Sequence, residues 1–355
     1  MTGESGPATH AGRSSATRLL AGGGILLMIA GMLLGEVYAI FISHLGTAEI
    51  RRRWVSIADA VGRGDAASAA ADWEHIEQML HRRGRIVNTH SHIIAFGFLA
   101  LTLAVLQSVL DMEERRRRRL AVLVLTGSLV QPLFVFIRGY TGEWAIWISD
   151  AAGLLVVAGV LGYAAGLRSA PNLTETLRAR MMKLLDSSSS RLLLRAGVGL
   201  ILAGMAFGLW FAGQFVLELE PRHWHLLESG LAETRTDPPA ARETVLAYRA
   251  LQSKIAITAA AHSHAIEMGL MAILLAFVQN FVLLADGWKL RWARVFCVGS
   301  ALLPVCIFTA TLVGLVAAAF ADLSGGLALA ALIAMLVGLV RYSGADDART
   351  AEAGR

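Results

Sequence analysis

The chain has 355 residues, 55% of them hydrophobic and only 17% charged, with a mean hydropathy of +0.57. Soluble domains carry about 25% charged residues, so this balance excludes an ordinary soluble fold and points to lipid. The formal charge of +5 is gathered into short segments, which argues for membrane topology and against a nucleic-acid partner.

The polar opening, residues 1–18, is followed by an apolar run too long for a signal-peptide core and without a clear cleavage site. A retained first helix is expected. Apolar runs of about 20 residues, enough to cross a hydrocarbon layer roughly 30 Å thick, begin near Arg18, Thr89, Leu120, Ile148, Leu192, Ile255, Ala293 and Gly325. They predict an all-α integral membrane protein with eight transmembrane helices. Two long segments, about 43–88 and 218–254, mix acids and bases and are expected as outer loops. Within them DWEHIEQMLHRR and PRHWHLLE read as short amphipathic helices, with His75, His81, His223 and His225 in water.

The basic residues Arg13, Arg18, Arg115–Arg119, Arg178, Arg180, Lys183, Lys289, Arg291 and Arg294 fall on one side if both termini are cytoplasmic. That is the arrangement the positive-inside rule requires. A multi-pass protein of the plasma (inner) membrane follows, with the bilayer as its first partner. Cys297 and Cys306 are nine residues apart on one helix, half a turn off a common face, so neither a disulfide nor a shared metal site is expected.

Sliding the sequence by 172 residues lays the second half on the first. His90, Ser91, His92, Gly97 and Gln107 meet His262, Ser263, His264, Gly269 and Gln279. Gly127, Ser128 and Pro132 meet Gly299, Ser300 and Pro304, and Asp150 and Gly153 meet Asp322 and Gly325. One further residue of offset carries Gly31 and Gly35 onto Gly204 and Gly208. We read two tandem four-helix repeats, residues 1–172 and 173–355, joined by a linker at about 169–190. Four is an even number, so both repeats insert the same way up and a parallel pseudo-twofold axis along the membrane normal is expected. The prolines should kink the third and seventh helices.

Each repeat carries a His-Ser-His at the outer end of its second helix. Residues i and i+2 of an α-helix are 200° apart, so His90 and His92 face different partners and do not chelate one ion together. A helix between two cofactors would use such a pair as axial haem ligands. Asp150 and Asp322 lie at similar depth and are candidates to hydrogen-bond the imidazoles. Glu267 follows His264 by three residues and shares its face, as proton carrier or hydrogen-bond partner, and Glu36 raises the same question.

THSHIIAFG, residues 89–97, resembles the histidine-bearing helix of nitric oxide reductases and related members of the haem-copper oxidase superfamily. In that helix a Thr-His-x-His precedes a Phe-Gly by three residues, and its two histidines bind the high-spin and low-spin haems. AHSHAIEMG, residues 261–269, is a second copy with Met-Gly for Phe-Gly. The resemblance covers about twenty residues of each half and implies that His90, His92, His262 and His264 are haem ligands. Arg138 would then be the best partner for a haem propionate, since a guanidinium binds carboxylates in a two-pronged geometry, with Arg85 as the alternative.

These residues support a haem-binding membrane protein in electron transfer or redox chemistry on a diatomic gas or quinol near the outer face, with a redox partner or quinol. Another metal in place of haem, a transporter for a metal ion or small solute, and an assembly or scaffold factor remain open alternatives.

Overall fold

The computed structural model describes residues 15–107, 110, 112–168, 175, 179 and 187–353. Arg13, Arg178, Arg180, Lys183 and most of the expected linker lie outside the described residues. Among those described there is no strand. The helices are α1 Ser15–Val37, α2 His44–Gly62, α3 Ala66–Leu106, α4 Glu114–Thr141, α5 Trp144–Arg168, α6 Ser188–Gln214, α7 Glu220–Thr236, α8 Pro238–Val278, α9 Asp286–Val313 and α10 Leu315–Ala353. Eight of them, all but α2 and α7, are long and apolar enough to cross a membrane, as a multi-pass membrane protein requires. In hydrocarbon every backbone N–H needs a partner within its own segment, which an apolar helix supplies.

Local sequence sets the helix ends. Asp65 accepts the Ser68 N–H at 3.1 Å and caps α3, and Asp237 accepts the Ala240 N–H at 3.2 Å and caps α8. Ser187, expected as linker, caps α6 instead. Gly142 and Gly314 take φ of 90° and 73° in the tight turns α4–α5 and α9–α10, a region that glycine enters without strain. Pro132 and Pro304 both lie inside unbroken helices. Cys297 and Cys306 are free thiols.

The expected outer loops are largely helical. α3 begins at Ala66, so DWEHIEQMLHRR belongs to the same helix as His90, about 35 Å longer than its apolar run alone. PRHWHLLE lies within α7. Hydropathy marks only the stretch that lipid must wet, whereas a polar helix persists in water when a neighbour packs on it. Here α2 and α7 supply that packing. Trp54 of α2 meets Trp73 of α3 at 5.6 Å and Tyr248 of α8 at 6.4 Å between ring centroids. Arg53 pairs with Asp72 at 2.7 Å, and the Thr244 hydroxyl donates to Glu233 at 2.6 Å. These contacts form a helical lobe at one end of the bundle.

The other end gathers the basic segments. The Ser15 hydroxyl donates to Glu114 at 2.8 Å, Gly22 of α1 lies beside Leu339 of α10, and the Leu283 N–H donates to the Gly338 carbonyl at 2.9 Å. The start of α1, the start of α4, the α8–α9 turn and the region of Leu339 therefore share one end, with Arg18, Arg115–Arg119, Lys289, Arg291 and Arg294.

Packing inside the two halves follows one pattern. α1 lies on α3 as α6 lies on α8: a Cβ added to Gly97 would come within 3.0 Å of the Gly24 carbonyl, and one on Gly269 within 2.7 Å of the Gly197 carbonyl. Small residues let the backbones approach this closely. α4 lies on α5 as α9 lies on α10, with Gly127 against the Ala152 carbonyl and Gly299 against that of Ser324. Between the halves the pattern breaks. α1 packs on α10, but α6 makes no comparable contact with α5. The fully buried Met28, Met271, Leu275, Phe296 and Leu332 belong to one continuous core that spans both halves.

Candidate functional site

His90 is placed by α1. Its imidazole rests on Gly35, where a Cβ would lie 2.7 Å from Cε1, and its Nδ1–H donates to the Gly31 carbonyl at 2.6 Å. A carbonyl only accepts, so the proton sits on Nδ1 and the Nε2 lone pair is left free for a ligand or a metal. His262 repeats this on α6, resting on Gly208 and donating to the Gly204 carbonyl at 2.9 Å. The second histidine of each pair points elsewhere, as 200° of rotation demands.

A cavity of about 1890 Å³ lies between the halves; some equivalent positions line it from both, such as Ser91 and Ser263, but the histidines and acids do not match. His90 lines it from the first half and His264 from the second, whereas His92 and His262 do not. His92 is exposed and stacks on Phe96 at 6.2 Å. Asp322 lines the cavity, but its counterpart Asp150 is exposed on α5.

Acids gather around the two cavity histidines. His264 Nδ1 lies 3.3 Å from Glu267 Oε2, joining the pair that the helical spacing implied. Glu36 of α1 presses its carboxylate on Gly325 of α10, which has no side chain to obstruct it. From there it is within electrostatic reach of Asp322 and His264, and His90 is within reach of His264 and Glu267. Comparing the repeats offered a signal for these acids: Glu36 falls on Leu209 and Glu267 on Ala95, so each is an ionisable group that only one half has.

No protein-family model matches the chain, and no match was found among curated proteins or solved structures. The site must be read from its own chemistry.

Its walls are apolar, with Met32, Ile94, Ile257, Met268, Leu303 and Ile307 facing the space. Toward the lobe it is lined by Arg51, Arg52, Arg83 and Arg249, which the sequence alone did not single out because they lie in polar helix and share no register between the halves. His223, expected in water, also lines the cavity and lies 4.8 Å from the Tyr248 ring. The two arginines first considered for a propionate lie elsewhere. Arg85 of α3 sits over the Tyr140 ring at 6.0 Å and Arg138 near the end of α4 is exposed, so neither lines the cavity and both lie by the α4–α5 turn with Trp144 and Trp147. The equivalent α9–α10 turn instead lines the cavity with Ala310, Gly314 and Leu315.

Among the described residues no three His, Cys, Asp or Glu side chains converge as a compact ion site. An apolar-walled space with one imidazole in the metal-ligand tautomer and a second beside a carboxylate does suit a flat organic cofactor held by one or two axial ligands.

Proposed function

We infer that the chain is a haem-binding protein of the plasma (inner) membrane, engaged in electron transfer or redox chemistry on a quinol or diatomic gas near the outer face. The observation that carries this reading is the meeting of His90 and His264 in one apolar-walled cavity, with His90 held by Gly31 so that Nε2 is free. Of the four histidines that resemble haem ligands, these two are the ligand candidates. Haem, when bound, would supply one-electron exchange at its iron.

The chain's own residues then divide the work. Gly31 and Gly35 orient His90, while Glu267 sets a carboxylate 3.3 Å from Nδ1 of His264. The carboxylates Glu36, Glu267 and Asp322 can accept the protons that a quinol must release with its electrons. The tandem repeats agree with this reading: the same α1–α3 and α6–α8 contacts recur at the offset that superimposes the sequence. We take the repeats as parallel, related by an axis along the membrane normal, with the basic end and both termini cytoplasmic. The lobe and the cavity mouth then face outward, toward a redox partner.

Protein purified in detergent from haem-supplemented cells should be red, and His90→Ala or His264→Ala should each strongly reduce its Soret band. Colourless wild-type protein would sink the reading. It would promote the rival, a transporter for a cation or small solute, which the three carboxylates of the cavity favour and which proton or metal flux into liposomes would reveal.

A further inference from the structure

The run Arg115–Arg119 opens α4 at the basic end of the bundle, and its guanidiniums divide into two kinds. Arg117 turns inward, donating to the Gln107 carbonyl at 3.1 Å and lying 3.6 Å from Glu114. The second half repeats that ion pair as Lys289 and Asp286 at 3.9 Å, so it belongs to the pattern the repeats share. Arg115, Arg118 and Arg119 are different. Their counterparts at the 172-residue offset are Gly287, Leu290 and Arg291. Although Glu113 and Glu114 precede them, none of the three meets an acid among the described residues. All three are exposed and, with Val122, they line an open groove of about 270 Å³.

At 100° per residue, Arg115, Arg118, Arg119, Val122, Leu129 and Leu133 fall in one sector of α4 about 100° wide, and Arg116 lies outside it. Val122, Leu129 and Leu133 are exposed, so in a membrane this sector faces lipid. From Val122 to Leu133 there are about 16 Å of helix, close to half of a hydrocarbon layer roughly 30 Å thick. The guanidiniums therefore stand at headgroup level, directly above an apolar stripe one leaflet deep. The helix gains nothing from them by itself. Like charges at i, i+3 and i+4 repel, and cations in the first turns oppose the helix dipole.

We propose that this face of α4 binds an anionic phospholipid, with its phosphate among Arg115, Arg118 and Arg119 and an acyl chain along Val122, Leu129 and Leu133. Guanidinium N–H groups meet phosphate oxygens in a two-pronged, charge-assisted geometry. Basic residues at a leaflet surface attract anionic lipid in any arrangement. Gathering three of them on one face above an apolar stripe makes a site, and only the first half has it. This goes beyond the haem reading and does not depend on it.

The test titrates full-length protein in neutral detergent with phosphatidylglycerol or phosphatidylcholine of identical oleoyl chains, counting bound lipid by native mass spectrometry. Wild-type protein should bind phosphatidylglycerol about tenfold more tightly. Arg115→Gln, Arg118→Gln and Arg119→Gln together should abolish that preference. A charge-matched control at the same end, Arg116→Gln with Arg291→Gln and Arg294→Gln, should keep it. Equal loss in both triple variants would mean diffuse attraction to the basic end and overturns the site, as does equal binding of the two lipids by wild type. Glycerol phosphate in about hundredfold excess should not displace the lipid, because the head alone lacks the apolar contact. Displacement would make the site one for a free phosphate and overturns the lipid assignment. If the triple variant is not monodisperse or inserts with another topology, single substitutions decide. Arg118→Gln should then lose most of the preference and Arg116→Gln none, and full retention by Arg118→Gln overturns the proposal.

Discussion

The two halves of this protein share their internal packing and differ in what they present to each other. In each, the first histidine of a His-Ser-His pair donates to a glycine carbonyl on the preceding membrane helix, at 2.6 Å and 2.9 Å. Yet His90 reaches the cavity and His262 does not, and His264 reaches it while His92 lies exposed. Gly325 receives the Glu36 carboxylate, whereas a Cβ on its counterpart Gly153 would meet nothing within 4 Å. The lesson is that residues matched by the sequence offset take different roles from the contact between the halves, not from their place within one half. α1 packs on α10 and encloses a space, and α5 has no such contact with α6.

The largest test of that difference uses the histidines as matched pairs. Against the loss expected for His264→Ala, His92→Ala should leave the Soret band of haem-loaded protein unchanged, because its side chain is outside the cavity. His262→Ala should also keep the band, but lower thermal stability by about 1–2 kcal/mol through the lost bond to Gly204. If His92→Ala and His264→Ala lose the band equally, the asymmetric cavity is wrong.

The next contrast should show no difference between the halves. Gly97→Leu and Gly269→Leu both drive a side chain into a helix that approaches to about 3 Å. Each should cost about 1–3 kcal/mol or more, measured as a lower melting temperature in detergent. A strongly unequal effect would mean that the internal packing is not shared.

A smaller effect is expected at the aspartates. Asp322→Asn should flatten the pH dependence of the midpoint potential of bound haem, and Asp150→Asn should leave it unaltered. Equal responses would mean that the two carboxylates do not differ in their relation to the site.

The smallest effect lies in the lobe. Asp65 is held below the usual carboxylate range by its hydrogen bonds to Ser68. A depressed carboxylate stabilises the fold above its unfolded pKa, near 3.9, and that contribution is lost as pH falls through the lower folded value. Asp65→Ala should therefore lower the melting temperature by no more than about 2 °C at neutral pH. The difference from wild type should vanish in strongly acidic buffer.

Much of this could be read without coordinates. Runs of apolar residues are sufficient to specify eight spanning helices, since lipid leaves the backbone no other way to satisfy itself. The offset of 172 residues brought out the glycines and histidines that recur in matching contacts. The spacing of His264 and Glu267 foretold their meeting, because i and i+3 share a helix face. Arg83, Arg249 and the long polar starts of α3 and α8 were not legible, since helix in water leaves no hydropathy signal and the arginines have no counterparts in register. Nor could periodicity show that Arg85 and Arg138 face away from the histidines. Helix existence is local and is decided by the chain itself. Which face of each half meets the other depends on packing between residues as far apart in the chain as Glu36 and Gly325, and only the tertiary structure decided that His90, His264, Glu36 and Asp322 share one cavity.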